Sequence, residues 1–237
     1  SLISAATLAS GFTVAMTPDA ITEAEDAYRV LSAFIPDLDA KVFLEKADKT
    51  DDPYEEIARH VSEETGRKVE AVKIPGIEVS REEWRYYPGN ELAAQTIGFL
   101  GYGQEHTLSG QYGLERFYNE ALTRSGRGLY GNFLSGFFTD LNTEFFSGGD
   151  MRPGADLVTS IEPSVQLFFE ELLEKYDTLW HPELSGAIVM DPNTGAIIAI
   201  ASRPSFDLNN FSKADPAYFA NPLTERVYEF GSIMKPL

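Results

Sequence analysis

The sequence predicts an α+β protein, on three observations. Apolar residues recur at three- and four-residue spacing along residues 21–35, as one helical stripe requires. Two short apolar runs, Gly186–Met190 and Ala196–Ala201, flank the turn-forming segment Asp191-Pro-Asn-Thr-Gly195, which reads as a hairpin. Between Trp84 and Gly128 glycine is dense, which cuts the chain into short elements.

In chain order, residues 12–16 form a short apolar run (Phe12, Val14, Met16) that stops at Thr17-Pro18. Thr17 as N-cap and Pro18 at the first helical position predict a helix carrying Ile21, Ala24, Tyr28, Leu31 and Ile35 on one face. A second short helix is expected over residues 38–47, and a third from Asp51-Asp52-Pro53, bearing Ile57 and Val61 and ending at Gly66. Residues 69–79 have β-like composition broken by Pro75-Gly76. Within the glycine-rich stretch a single helix is expected, Leu114–Leu122, and Gly89, Gly98 and Gly113 are assigned to positive φ or close packing. Residues 129–156, with Phe133, Phe137, Phe138, Phe145 and Phe146, read either as a linker or exposed extension or as a hairpin lying on the core. A strand is expected at Leu157–Thr159, then a helix opened by Pro163 whose apolar residues are Val165, Phe169, Leu172, Tyr176 and Leu179. Both strands of the 186–201 hairpin are apolar at successive positions, which predicts burial on both faces in a helix-sandwiched antiparallel sheet. Residues 202–230 read as a long irregular loop.

Composition narrows the function classes. The 237 residues hold 19 Lys plus Arg against 37 Asp plus Glu, a net charge of −18 at pH 7. That balance argues against nucleic-acid binding and against docking on anionic lipid, both of which need a cationic face. Without cysteine there is no disulfide, thiolate chemistry or Cys-ligated zinc. His60, His106 and His181 are far apart and form no metal-binding spacing, so neither a metal nor a cofactor is expected. No run of about 18 apolar residues is present, so no membrane-spanning segment is expected. Both ends read as cuts within a longer polypeptide.

One constellation carries chemistry. Ser232-Ile-Met-Lys235 is the one S-x-x-K in the chain. A nucleophilic serine needs a base within hydrogen-bond reach, and residues i and i+3 of a helix share a face, so Lys235 can reach Ser232 Oγ. Pro236 is tolerated only in a first helical turn, so a helix here begins close to Ser232, where the macrodipole favours a developing anion. Gly231 permits a tight turn before it. To act as a base Lys235 must be neutral, which requires desolvation or a nearby cation. The alternative for these residues is a helix-capping Ser232 beside a solvated Lys235.

The flanking sequence resembles the penicillin-binding proteins. Tyr228-Glu-Phe-Gly-Ser-Ile-Met-Lys-Pro236 is similar to their active-site segment, and Ile188–Asp207 with Asn209 is similar to the opening of their transpeptidase domain. Leu157-Val-Thr-Ser-Ile-Glu-Pro-Ser-Val-Gln166 resembles the stretch just before it. Arg85-Tyr-Tyr-Pro-Gly89, Gly98-Phe99 and Gly110-Gln-Tyr-Gly-Leu-Glu115 with Tyr118 resemble pedestal motifs of the class B, monofunctional enzymes, and the Thr13–Ile35 segment resembles the start of that pedestal. The resemblance implies a pedestal (dimerisation-type) domain at 1–150 and the N-terminal part of a β-lactamase-like transpeptidase domain at 151–237. It implies Ser232 as nucleophile, Lys235 as its proton acceptor and the Ser232 backbone N–H as half of an oxyanion hole. It further implies peptidoglycan stem peptides as substrates, β-lactam antibiotics as ligands, contacts with cell-wall elongation or division proteins through the pedestal, and a location at the cell envelope, outside the cytoplasmic membrane. Arg85 and Glu115 are read as structural residues of the pedestal, or else as partner contacts.

The sequence also departs from the family pattern. Phe230 stands where proline is usual, and Ser160-Ile-Glu162 where Thr-Ile-Asp is usual. Neither S-x-N nor K-[ST]-G occurs, so the chain alone is expected to be inactive, and the hairpin strands to expose edges. The competing functions are a non-catalytic cell-wall scaffold and a β-lactam sensor, the latter disfavoured by the pedestal motifs.

Overall fold

A three-stranded sheet and its helices form around the run Phe12–Met16. The computed structural model describes residues 3–103, 107–123, 156–231 and Lys235. The chain divides into two compact units. One comprises Leu8–Arg85; the other combines the described parts of Ser1–Thr7, Tyr86–Gly128 and Gly148–Leu237. The grouping follows space rather than chain order. The expected linker or hairpin at 129–156 lies outside the described residues apart from Asp156. No helix among the described residues is long and apolar enough to cross a membrane.

In the Leu8–Arg85 unit, β1 (Thr7–Met16) is the central strand of a sheet ordered β2-β1-β3. Helices α1 (Ala24–Ser32), α2 (Ala40–Ala47) and α3 (Glu63–Val72) supply the apolar partners of one sheet face. Val14 and Met16 are buried there with Leu31, Phe43, Val61 and Val69. Asp39 caps α2 by accepting from Val42 N, and Ser62 caps α3 by accepting from Thr65 N, as short polar side chains do at helix starts.

Four expectations change in this unit. Pro18 opens only a 3₁₀ turn, Pro18–Ala20, with no side-chain cap from Thr17; α1 starts at Ala24. The stripe itself holds, with Ala27 and Leu31 buried and Ala24, Tyr28 and Ile35 packed against them. Residues 55–61 form strand β2 (Glu55–Val61), not a helix. Register shifts between Phe12/Val14 and Val14/Ala15 insert bulges against β1, with His60 at φ 56°. Bulges break the two-residue alternation, so apolar Ile57 and Val61 fall four apart as in a helix. Gly66 lies inside α3 rather than after it: a Cβ there would come 2.4 Å from Phe12 Cδ2, so close packing selects the glycine. The β-like stretch 69–79 is helical to Val72, and strand β3 (Ile77–Tyr86) begins only after Gly76.

The second unit is assembled from short pieces: α4 (Ala94–Ile97), the small hairpin β4 (Leu100–Tyr102) and β5 (Leu108–Gly110), α5 (Gly113–Phe117) and α6 (Asn119–Leu122). The single helix expected over 114–122 is therefore two. Gly98 and Gly113 both have positive φ, and the backbones meet there: a Cβ on Gly98 would sit 1.8 Å from Tyr112 O, and one on Gly113 2.5 Å from Thr96 O. Phe99 anchors an aromatic cluster, stacked on Phe211 at 4.0 Å and edge-on to Phe219 at 4.9 Å. Tyr87, Phe206 and Leu208 complete this core.

Helix α7 (Pro163–Trp180) starts at the proline as expected and packs on the antiparallel hairpin β6 (Ser185–Met190) and β7 (Ile197–Arg203), paired Ile188↔Ile200. Residues 157–159 form no strand; the chain instead borders β7, with Ser160 Oγ donating to Ile197 O and Glu162 N to Ile198 O. β7 is buried from Ala199 to Ser202, whereas β6 alternates, leaving Ile188 and Met190 exposed. The inward face of α7 centres on Gln166 and Leu173; Leu179 and Trp180 stay exposed.

Gln166 is fully buried and acts as a strand partner. Its Nε2 donates to Ile200 O at 2.9 Å, and its Oε1 accepts from Ile200 N at 2.8 Å. Gln166 Nε2 also donates to Glu170 Oε1, which takes a second bond from Ala93 N, both at 2.7 Å. Burial pushes the Glu170 carboxyl above the ordinary glutamate range, against the lowering effect of these two donors and of Arg203.

Two expected outcomes follow. Gln166→Leu leaves the Ile200 N–H and C=O unpaired in the interior and lowers the unfolding free energy by about 2–4 kcal/mol, read from urea denaturation. A carboxyl whose pKa is raised on folding stabilises most below its unfolded pKa, and that contribution is lost as pH rises through the folded value. Glu170→Gln keeps the acceptor for both donors and removes the charge. The urea midpoint of the variant therefore falls less than the parent's across that interval.

Candidate active site

The approach to Ser232 is built on helix α8 (Pro222–Glu225). Asn221 caps it, its Oδ1 accepting from Leu223 N at 3.0 Å, while Asn221 N donates to Glu225 Oε1 at 3.2 Å. Asn-Pro at a helix start is the arrangement the two residues favour: an acceptor at the cap, then a residue that has no N–H to satisfy. Leu223 lies over Gly186 of β6, where a Cβ would come within 2.5 Å of its Cδ2. The Asn221 amide Nδ2 donates to Thr96 Oγ1 at 3.1 Å. Beyond α8 the Tyr228 hydroxyl donates to Pro222 O at 2.9 Å, and the Tyr228 and Phe230 rings lie 5.8 Å apart. Val227 is 98% exposed and Phe230 53%. Gly231 has φ 56°, with no atom of the described residues within 4 Å of where a Cβ would sit.

Ser232, Ile233, Met234 and Pro236 lie outside the described residues, so the structure assigns no geometry to the Ser232 hydroxyl or its N–H. Lys235 is exposed. Glu115 is buried at 3% exposure and accepts a hydrogen bond from the Tyr87 hydroxyl at 3.4 Å; Leu100 N donates to that same hydroxyl at 3.2 Å. Arg85 ends the Leu8–Arg85 unit. Among the described residues no group of three or more His, Asp or Glu could hold a metal ion.

Other polar side chains tie the irregular segments of this unit together. Asn209 clamps the backbone of Tyr87 at both its N–H (3.0 Å) and its carbonyl (2.9 Å), and donates to Asn90 Oδ1 at 3.0 Å. Gln95 Nε2 donates to Pro204 O at 2.8 Å. Arg203 lies 3.3 Å from Glu174 and 3.5 Å from Glu91. In the hairpin turn the Asp191 carboxylate accepts from Asn193 N and from the Thr194 hydroxyl, which hold its pKa below the usual range. Gln95 stands in the sequence as an amide after Ala93-Ala94, but nothing in a single sequence marks which polar side chains are buried.

Comparison with known proteins places this geometry. Residues 6–128 match the family model of the penicillin-binding protein dimerisation domain, and residues 185–237 that of the penicillin-binding protein transpeptidase domain. The stage V sporulation protein D of Bacillus subtilis is 28% identical over 183 residues, covering 75% of this chain and 27% of that protein. Peptidoglycan D,D-transpeptidase FtsI of Escherichia coli K12 is 28% identical over 187 residues, with 76% of this chain and 30% of that protein covered. The chain therefore spans less than a third of the length of these relatives. Among solved structures, penicillin-binding protein 2X of Streptococcus thermophilus superposes with a TM-score of 0.54 at 15% identity, over 90% of this chain and 35% of that one, a likeness of fold. With the dimerisation model matching more than half of its residues and the transpeptidase model following it in order, the chain belongs to the penicillin-binding protein family.

Proposed function

We propose that the chain is the pedestal and the beginning of the transpeptidase domain of a peptidoglycan D,D-transpeptidase, with the family domains dividing as 1–150 and 151–237. The observation that carries the reading is the S-x-x-K of Ser232 and Lys235 inside the segment matched to the transpeptidase model, preceded in order by the dimerisation match. In this reading Ser232 Oγ attacks the carbonyl of the penultimate D-Ala of a stem peptide. Lys235 Nζ accepts the hydroxyl proton and returns it to the departing D-Ala amine. The Ser232 N–H steadies the oxyanion. The acyl-enzyme then passes its acyl group to an amine of a neighbouring strand, so one difficult exchange becomes two easier ones. β-Lactams acylate the same serine. The reaction places the protein at the cell envelope, on the outer side of the cytoplasmic membrane, with elongation or division proteins as partners of the pedestal. Residues 1–237 contain neither S-x-N nor K-[ST]-G and are not expected to catalyse by themselves.

The test is covalent labelling with a fluorescent penicillin, applied to the full-length product of the gene. Labelling that disappears in Ser232→Ala is the expected result. Lys235→Ala is expected to slow acylation by about 10²–10⁴-fold, the usual worth of a positioned proton acceptor. Absence of labelling in the parent protein assigns the chain to a scaffold instead, and an unchanged rate in Lys235→Ala removes that residue from the mechanism.

A further inference from the structure

We propose that the outer edge of β2 is a docking groove for an extended segment of a partner protein, apolar and flanked by Lys or Arg, which adds to the sheet as a further strand. The proposal gives a chemistry to the partner contact read for the pedestal above; it rests on that reading and not on the acylation chemistry. β2 stands at one side of the sheet β2-β1-β3, so β1 takes one of its edges and no strand among the described residues takes the other. Beside it, within the Leu8–Arg85 unit, lies a cleft of about 500 Å³. Residues 57–62, six in succession, border the cleft on the side of β2, and residues 34–39 with α2 border it on the other. Side chains of a strand alternate between its two faces, so successive residues border one space only where the backbone edge itself faces it. Phe34, Leu38, Val42, Phe43 and Ile57 make the lining largely apolar, and Val42 is 47% exposed.

A strand edge beside an apolar cleft suits an added strand: main-chain bonds to the edge supply affinity, and alternate side chains of the newcomer enter the cleft. Residues 57–62 span about 20 Å at strand spacing, room for five or six residues of the occupant. Charge selects which segment fits. Lys46 and Arg59, the lysine and arginine of the lining, are committed to acids of the same unit: Lys46 lies 3.8 Å from Glu55, and Arg59 lies 3.6 Å from Glu56 and donates to Glu82. Burial holds the His60 imidazole below its usual range, so it adds no charge at neutral pH. On the opposite wall Asp37 and Asp39 are exposed, and neither is in an ion pair with another described residue. Residues 8–85 together hold 18 Asp and Glu against 10 Lys and Arg. A segment carrying Lys or Arg beside its apolar residues is therefore drawn to the cleft, and an acidic one is repelled.

The experiment measures binding of fluorescein-labelled peptides to the full-length protein by fluorescence anisotropy. The probes are Lys-Lys-Val-Thr-Val-Thr-Val and Val-Thr-Val-Thr-Val-Lys-Lys, with Glu-Glu forms of both as controls. At least one basic peptide is expected to bind about tenfold more tightly than its acidic form or better. At saturation, amide hydrogen exchange across residues 57–61 is expected to slow, as strand pairing requires. Asp37→Lys and Val42→Ser, both at exposed positions, are expected to weaken that binding about five- to tenfold and about threefold. Failure of both basic peptides to bind overturns the inference, and so does equal affinity for the acidic forms. Affinity unchanged in both variants overturns it by placing the peptide elsewhere. Binding without slowed exchange at 57–61 overturns it in favour of a cleft that takes apolar side chains and adds no strand. A protein that takes the penicillin label and binds neither basic peptide refutes this inference alone. One that binds them and takes no label refutes the enzymatic reading alone.

Discussion

The edge of β7 imposes the constraint on which the second unit depends. A strand that lacks a neighbour presents N–H and C=O groups that cannot be left dry in an interior. Here the edge is closed by Glu162 N, the Ser160 hydroxyl and, at its most buried point, the primary amide of Gln166. A glutamine offers one donor and one acceptor at the spacing of a peptide group, so it can stand in for a residue of a missing strand. Because the same amide also binds Glu170, and Glu170 binds Ala93 N, one side chain fixes α7, β7 and the start of α4 together.

The same solution recurs wherever irregular chain enters this unit. Asn209 pairs with both backbone groups of Tyr87, Gln95 with Pro204 O, and Asn221 with Thr96 and with the first turn of α8. Segments 86–123 and 204–226 have few regular ladders, and these amides satisfy backbone that helices and sheets would otherwise serve. Their cumulative effect is spatial: the end of the stretch matched to the dimerisation domain is packed with the start of the transpeptidase stretch, while residues 8–85 fold around a separate core. A boundary in family sequence and a boundary in packing need not coincide, since the first follows ancestry and the second follows contacts.

The chemistry rests on different evidence from the fold. A structural likeness at 15% identity establishes architecture, which many chemistries can share. The serine and lysine are singled out by their spacing and by the flanking residues they share with the family. What the structure adds lies before them in the chain: a capped α8 and a seat for Leu223 on Gly186.

The sequence by itself determined the elements whose cause is local. The stripe of α1, the proline start of α7 and the Asp-Pro-Asn-Thr-Gly turn all depend on neighbours within a few residues, and the ordered motifs placed the chain in its family. Tertiary structure decided the rest. Bulges opposite β1 turned an apparent helix into β2, Phe12 demanded Gly66 within α3, and the edge of β7 set the polar Gln166 on the buried side of α7. Those outcomes depend on what lies opposite a residue in space, and a one-dimensional pattern records only what lies beside it along the chain.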